Sequence, residues 1–373
     1  MANNRIAARC LMPTTPATAQ QQVDFIAYLQ RLLVEGEFVA TYKFALLHAI
    51  ADICIERPIT AELAAHLQQN PSSELDPNII TIDALVEKFI ELYWYHSLPY
   101  GVEDSQAIIL LQNTGKQSAL IRNLSEFRAQ GVRSFTQLKM HPKWKTLKSK
   151  TRATFKEGPL WRLQILSGQE ECFYYAHDKK LKHIRLNSGI AYCFRRFYDL
   201  VVSLARTHWV QKVCDIPANQ SVIGGLGNVS DFLFGRDRQT ITAARPILTE
   251  IQHGNCFYCG KPLKENGEVD HFIPWARYPN DLAHNFVLAH SSCNNAKKDY
   301  LAAEQHKDRW FEQNIIQHKH IIDAEMSKYF VCESERSEAI TTWAYQMAAN
   351  SNSSLWLHGK QFESHGNSGL LLS

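Results

Sequence analysis

The 373-residue sequence has no apolar run near the roughly 18 residues a membrane-spanning helix requires. Its first stretch, Met1 to Gln22, is polar and rich in Ala, Thr and Pro, without the apolar segment of a signal peptide. It shows no internal repeat and no long low-complexity tract. A membrane protein, a secreted protein and a repeat array are therefore not expected. Nine cysteines, an odd number in a long chain, do not suggest a disulfide scaffold, so the reducing cytoplasm is the expected compartment. At 45% hydrophobic and 21% charged residues the composition excludes a disordered chain, a collagen and a coiled-coil rod. The length suggests two or three domains.

The net charge of +3 hides an uneven distribution. Residues 1–120 carry 7 basic and 13 acidic side chains, residues 121–212 carry 19 and 6, and residues 213–373 carry 14 and 18. The middle block is thus net +13, a charge that suits contact with a polyanion. The alternative is that it neutralises the acidic flanks within the protein.

The periodicity predicts helices over 23–35, Thr41 to Ile55, Ile59 to Leu67 with Thr60 as N-cap, and Ile82 to Tyr95. The last ends in Tyr93, Trp94 and Tyr95, expected in a core, and 71–80 reads as a loop. Residues 131–157 are polar and basic around Trp144. Leu160 to Ile165, Cys172 to Tyr175 and His183 to Leu186 predict a small sheet, and Ser188 a cap for a helix running to Trp209. Gly224, Gly225 and Gly227 lack the Lys-Ser/Thr of a phosphate loop and read as a linker. Thr240 to His253 predicts a helix interrupted near Pro246. After Asn350 the chain is Ser/Asn/Gly-rich and expected to be poorly ordered, apart from Leu355 to Leu357.

The segment 256–299 carries the chemistry. Cys256-x2-Cys259 and His290-x2-Cys293 are two ligand pairs whose side chains can turn onto one ion. Three thiolates and an imidazole suit a closed tetrahedral site for structural zinc. The alternative places His290 on a catalytic side, with zinc held by three thiols. Between the pairs, Gly267 to Ile273 and Phe286 to Ala289 predict two strands, and Ser291 begins a helix. Asp270, His271 and Asn294 can then face one another. A carboxylate and an amide oxygen suit Mg²⁺, with Mn²⁺ as substitute, and the imidazole can take a proton from water. Asn295 is the alternative to Asn294 as ligand, and His284 is expected on the surface.

Cys256, Cys259, Asp270-His271 with Pro274, Asn285, and Cys293-Asn294 with Lys297 together resemble the HNH endonuclease family, the His-Me finger or ββα-metal nucleases, in its zinc-ribbon form. His290 stands where that family usually has the third cysteine. The resemblance implies His271 as general base, Asp270 and Asn294 as ligands of the catalytic metal, Asn285 as the residue shaping the His-bearing loop, and Lys297 beside the phosphate. It implies phosphodiester hydrolysis in DNA, with structured RNA as an alternative substrate and a zinc-stabilised binding protein without turnover as an alternative function.

The fold class expected is α+β, mainly helical. A flexible N-terminus over 1–22 precedes a helical domain over 23–130 and a basic α/β region over 131–228. The nuclease domain with its flanking helices follows over 229–349, and a mostly flexible tail over 350–373. In the basic region Lys143, Lys145, Lys148, Lys150, Arg195 and Arg196, with Arg206 next, are the candidate nucleic-acid contacts. An unfamiliar helical region joined to such a module resembles bacterial phage-defence effectors, such as the HNH component of the Zorya type II system, and implies partner proteins of that system.

Overall fold

A computed structural model describes residues 16–57, 76–101, 108–223, 229–235, 241–263 and 267–364. The fold is α+β and mainly helical, with four two-stranded antiparallel sheets among the described residues. No helix of the described residues is long and apolar enough to cross a membrane. The chain forms two units: Met1–Gly131 with Pro142–Gly235, and Val132–His141 with Arg236–Ser373.

The first unit is built around the helix Tyr42–Glu56, in which every residue from Lys43 to Ile55 is buried. A helix apolar on all sides needs neighbours on all sides. Ile82–Trp94 and Tyr198–Cys214 supply two of them. Ala19–Glu35 starts four residues before the expected Val23, because Thr18 and Gln21 form a reciprocal capping box. Tyr93 and Trp94 lie in the core, whereas Tyr95 is partly exposed.

Several local expectations change. Ile79–Thr81 lies in the span expected to be a loop but forms a strand, paired with His183–Arg185 through Ile80 opposite Ile184. The expected small sheet is instead separate pairs: Ile165–Leu166 joins Gln169–Glu170, and Leu160 falls in the helical turn Pro159–Arg162. The basic stretch holds the helices Phe135–Met140 and Trp144–Glu157. Ser188 is not a cap. Gly189, at φ 78°, opens Ile190–Arg196, and a break at Phe197 precedes Tyr198–Cys214. The predicted helix Ile59 to Leu67 and the Gly224, Gly225, Gly227 linker lie outside the described residues.

In the second unit, Pro246 starts rather than interrupts the helix Arg245–Ile251, because the first turn needs no N–H from it. The strand Phe286–Ala289 is buried along its length. It packs with Leu248, Ile251, Ile322, Met326 and Phe330 into one apolar cluster. Leu355 to Leu357, the one ordered stretch expected in the tail, form part of a hairpin, Ser354–His358 with Gln361–Ser364, whose second strand falls in the stretch expected to be loose. Its Trp356 is buried, donates its N–H to the Leu301 carbonyl and accepts from Ala303. Trp356→Ala is expected to cost about 3–5 kcal/mol, as for other large-to-small core changes. Denaturant unfolding followed by the second unit's transition measures it.

Candidate active site and metal centre

Cys256 and Cys259 sit on a tight turn closed by Gly260 N–H on the Cys256 carbonyl, with Gly260 at φ 69°. A side chain is disfavoured at that angle. His290 is the N-cap of the helix Ser291–Lys297, and Cys293 lies in its first turn. The four donor atoms of Cys256, Cys259, His290 and Cys293 all lie within 4.8 Å of one another. His290 Nδ1 is 3.3 Å from Cys259 Sγ, and its Nε2 faces the Pro262 carbonyl at 3.2 Å. A carbonyl that receives the far ring N–H in this way favours the tautomer that presents Nδ1 to a metal. His290 therefore stands with the thiols, not on a catalytic side. Burial, then the neighbouring Cys256 and Cys259, push the Cys293 thiol up to about 12. Burial also opposes ionisation of Cys259. There the Lys261 backbone N–H and the surrounding Cys256, His290 and Cys293 prevail and lower its pKa. Crowded thiols of this kind are what a dication replaces protons on. The donor set fits tetrahedral zinc.

The strand Glu268–His271 pairs antiparallel with Phe286–Ala289, Asp270 opposite Val287 and His271 opposite Phe286. With the helix Ser291–Lys297 they make a ββα unit. A cavity of about 500 Å³ opens on it, lined by Glu268, Asp270, His271, Asn294, Lys298 and Arg245 among others. Asp270, His271 and Asn294 are thus brought together. Asn295 lines the same cavity.

Each of these groups is held from behind. Asp270 Oδ2 accepts from the Tyr258 hydroxyl at 2.6 Å and lies 3.0 Å from Lys297 Nζ. His271 is buried and donates from Nε2 to Asp281 Oδ1 at 2.8 Å. Its ring packs against Trp275 and Phe286. Asn294 donates from Nδ2 to Glu268 Oε2 at 2.9 Å, while Ser291 donates to Oε1 of the same carboxylate. Asn285 accepts from the Ile273 N–H at 2.7 Å and donates to the Ile273 carbonyl at 2.9 Å, locking the turn that follows His271.

Residues 256–303 match the HNH endonuclease family. No curated protein and no solved structure matches the chain. HNH nucleases act on nucleic acid with divalent metals, and the donor set here suits one: Asp270 and Asn294 each keep an oxygen beyond the bonds above, on the wall of one cavity.

Two expectations around the HNH segment need correction. Lys297 does not face a phosphate. It is fully buried and donates to the His271 carbonyl at 2.8 Å besides pairing with Asp270. The cations on the cavity wall are Lys298 and Arg245. His284 is not a surface residue but fully buried, its carbonyl accepting from Trp310 and Asn314.

In the first unit, Arg195 is also misassigned, being buried with its guanidinium on the Cys54 carbonyl. Lys148 is half-buried and paired with Asp83 and Glu87. Lys143, Lys145, Lys150 and Arg196 are exposed.

Residue patterning alone did not single out Asp281, Tyr258, Glu268, Lys298 or Arg245. Glu268 had a signal, since strand alternation puts it on the face of Asp270. Tyr258 and Asp281 lie inside the matched segment but at positions without a spacing rule to mark them.

Cys256→Ser and Cys293→Ser are expected to lose zinc and unfold the ββα unit, because folding and metal binding are coupled in so small a module. His290→Cys is expected to keep both. Elemental analysis together with circular dichroism of the full-length chain distinguishes the three; a metal-free protein with an intact unit would sink the assignment.

Proposed function

We propose that this protein is a metal-dependent endonuclease hydrolysing phosphodiester bonds in DNA, one strand per event, and that it acts in the cytoplasm in bacterial defence against phage. The observation that carries the nuclease reading is the single cavity holding Asp270, Asn294 and an Asp281-bound His271. The defence reading rests on the joining of an unassigned helical unit to an HNH module, and the cytoplasm on cysteines free of disulfides among the described residues.

The chemistry follows from the hydrogen bonds. His271 holds its proton on Nε2 against Asp281, so Nδ1 is the nitrogen left to accept a proton from the attacking water. Asp281 then faces the imidazolium that forms and steadies it, as the carboxylate of a catalytic triad does. Mg²⁺ held by Asp270 and Asn294 would supply Lewis-acid stabilisation of charge on the phosphate. Tyr258 and Lys297 fix the Asp270 carboxylate, and Glu268 fixes the Asn294 amide. Such groups preorganise the donors before the substrate arrives. Lys298 and Arg245 supply positive charge for the phosphate strand. Exposed Lys143, Lys145, Lys150 and Arg196 supply sequence-independent backbone contacts.

His271→Ala is expected to lower cleavage by the ~10²–10⁴-fold attributed to general base catalysis. Asp281→Asn should fall between it and wild type, with zinc content unchanged in both. The assay is conversion of supercoiled plasmid to nicked circles in Mg²⁺, with Asp270→Ala and EDTA as blanks. Nicking by wild type that is reduced in Asp281→Asn, reduced further in His271→Ala and absent from the blanks supports the proposal. Cleavage of tRNA beside intact plasmid moves the substrate to RNA, and tight binding without product from any variant favours a binding module.

The lysines have their own test. Lys143, Lys145 and Lys150 changed together to Ala are expected to weaken duplex binding equally for all sequences. The log–log salt slope should fall by about 0.9 per lost phosphate contact. An unchanged slope in a fluorescence-anisotropy titration places the contact surface elsewhere.

A further inference from the structure

The first turn of the helix Tyr42–Glu56 is chemically incomplete. Its N-cap, Thr41, makes no side-chain cap, because the hydroxyl accepts from the Tyr93 hydroxyl at 2.6 Å and donates to Gln112 Oε1 at 2.9 Å. The turn has no acidic residue and carries Lys43 instead. Open N–H groups and the positive end of the helix dipole thus meet another positive charge.

Lys43 is only 8% exposed. Its ammonium lies 5.3 Å from the centre of the Phe38 ring and makes no hydrogen bond or ion pair among the described residues. The stem is buried, while the ammonium itself keeps some solvent access and has no carboxylate or carbonyl to receive it. Beside it is a cavity of about 160 Å³ lined by Lys43, Tyr42, Arg162, Glu37, Gly158 and Pro159 among others. All of these belong to the first unit. Burial lowers the Lys43 pKa, the nearby Glu37 carboxylate raises it, and Arg162 lowers it further.

We infer that this cavity binds a phosphate-type oxyanion between Lys43, Arg162 and the open N–H groups of the helix Tyr42–Glu56. Two cations and an uncapped helix end converge on one small space, and an anion would complete all three. The volume is below the roughly 300–1,000 Å³ of pockets that enclose drug-sized ligands, so it suits one anionic group and not a nucleic-acid strand. Glu37, exposed at the same cavity, opposes an anion without pairing to Lys43.

The test is thermal unfolding of the full-length chain in rising inorganic phosphate, against potassium chloride at matched ionic strength. Wild type is expected to gain stability with phosphate by mass action. Lys43→Met should lose that response while melting near the wild-type temperature without phosphate, since the buried part of the side chain is its apolar stem. Arg162→Gln, a change at an exposed residue, should respond only at several-fold higher phosphate, and Glu37→Gln at lower phosphate. These two carry the test if Lys43→Met fails to fold. The inference is overturned by a wild type indifferent to phosphate, by an unaltered response in Lys43→Met, or by Arg162→Gln and Glu37→Gln both responding as wild type. A Lys43-dependent rise produced by a short oligonucleotide but not by phosphate would also overturn it.

Discussion

Two strands of four residues and a helix of seven cannot bury enough apolar surface to fold alone, and a metal held by Cys256, Cys259, His290 and Cys293 would supply the missing constraint. It would tie the turn before the first strand to the N-cap of the helix. The start of that helix is where Ser291 and Asn294 meet Glu268, and its last turn is where Lys297 meets Asp270. Loosening the ligand pairs would therefore free the donors as well as the scaffold. Phe286–Ala289 adds the apolar side of the same arrangement, joining the ββα unit to the helices Arg245–Ile251 and Lys319–Met326.

Within this frame the first strand divides its work by alternation. Asp270 is turned to Tyr258 and Lys297, and His271 to Asp281, Trp275 and Phe286. Adjacent residues on a strand point to opposite faces, so the Asp270 carboxylate and the His271 imidazole are steered by different neighbours. Asn285 supports the end of that strand by bracketing Ile273 with both atoms of its amide. The motif's lysine belongs to this support. A fully buried ammonium bonded to the His271 carbonyl and paired with Asp270 couples the two residues through the backbone between them.

The ββα unit was legible in the sequence because its signals are local: the strands, the helix start at Ser291 and the four sulfur and nitrogen donors all follow from short spacings. What sequence missed is non-local. Ile79–Thr81 is a strand only because His183–Arg185 lies beside it, a pairing across about a hundred residues that no window contains. Leu355 to Leu357 stood out as ordered, but the partner strand Gln361–Ser364 hides in Ser/Asn/Gly-rich composition, because the hairpin's anchor is one residue, Trp356, received by Leu301 and Ala303. Asp281 escaped for the same reason, since its role depends on a loop returning to the His271 ring.

The basic middle block shows how a count of charges misleads without their partners. Lys148 pairs with Asp83 and Glu87, Arg152 with Asp83, and Arg185 with Asp76. All the acidic partners come from the net-negative first 120 residues and all lie in the first unit. Arg195 is internal to the same fold. Arg128 packs over the Trp94 ring at 3.8 Å and donates to the Trp94 carbonyl, and burial lowers its pKa to about 10. Part of the +13 therefore neutralises an acidic neighbour or is absorbed in packing, and only the exposed remainder can face a polyanion. Lys43 differs from both groups: its side chain is buried like that of Arg195, but its ammonium has the face of the Phe38 ring beside it in place of a carbonyl or carboxylate.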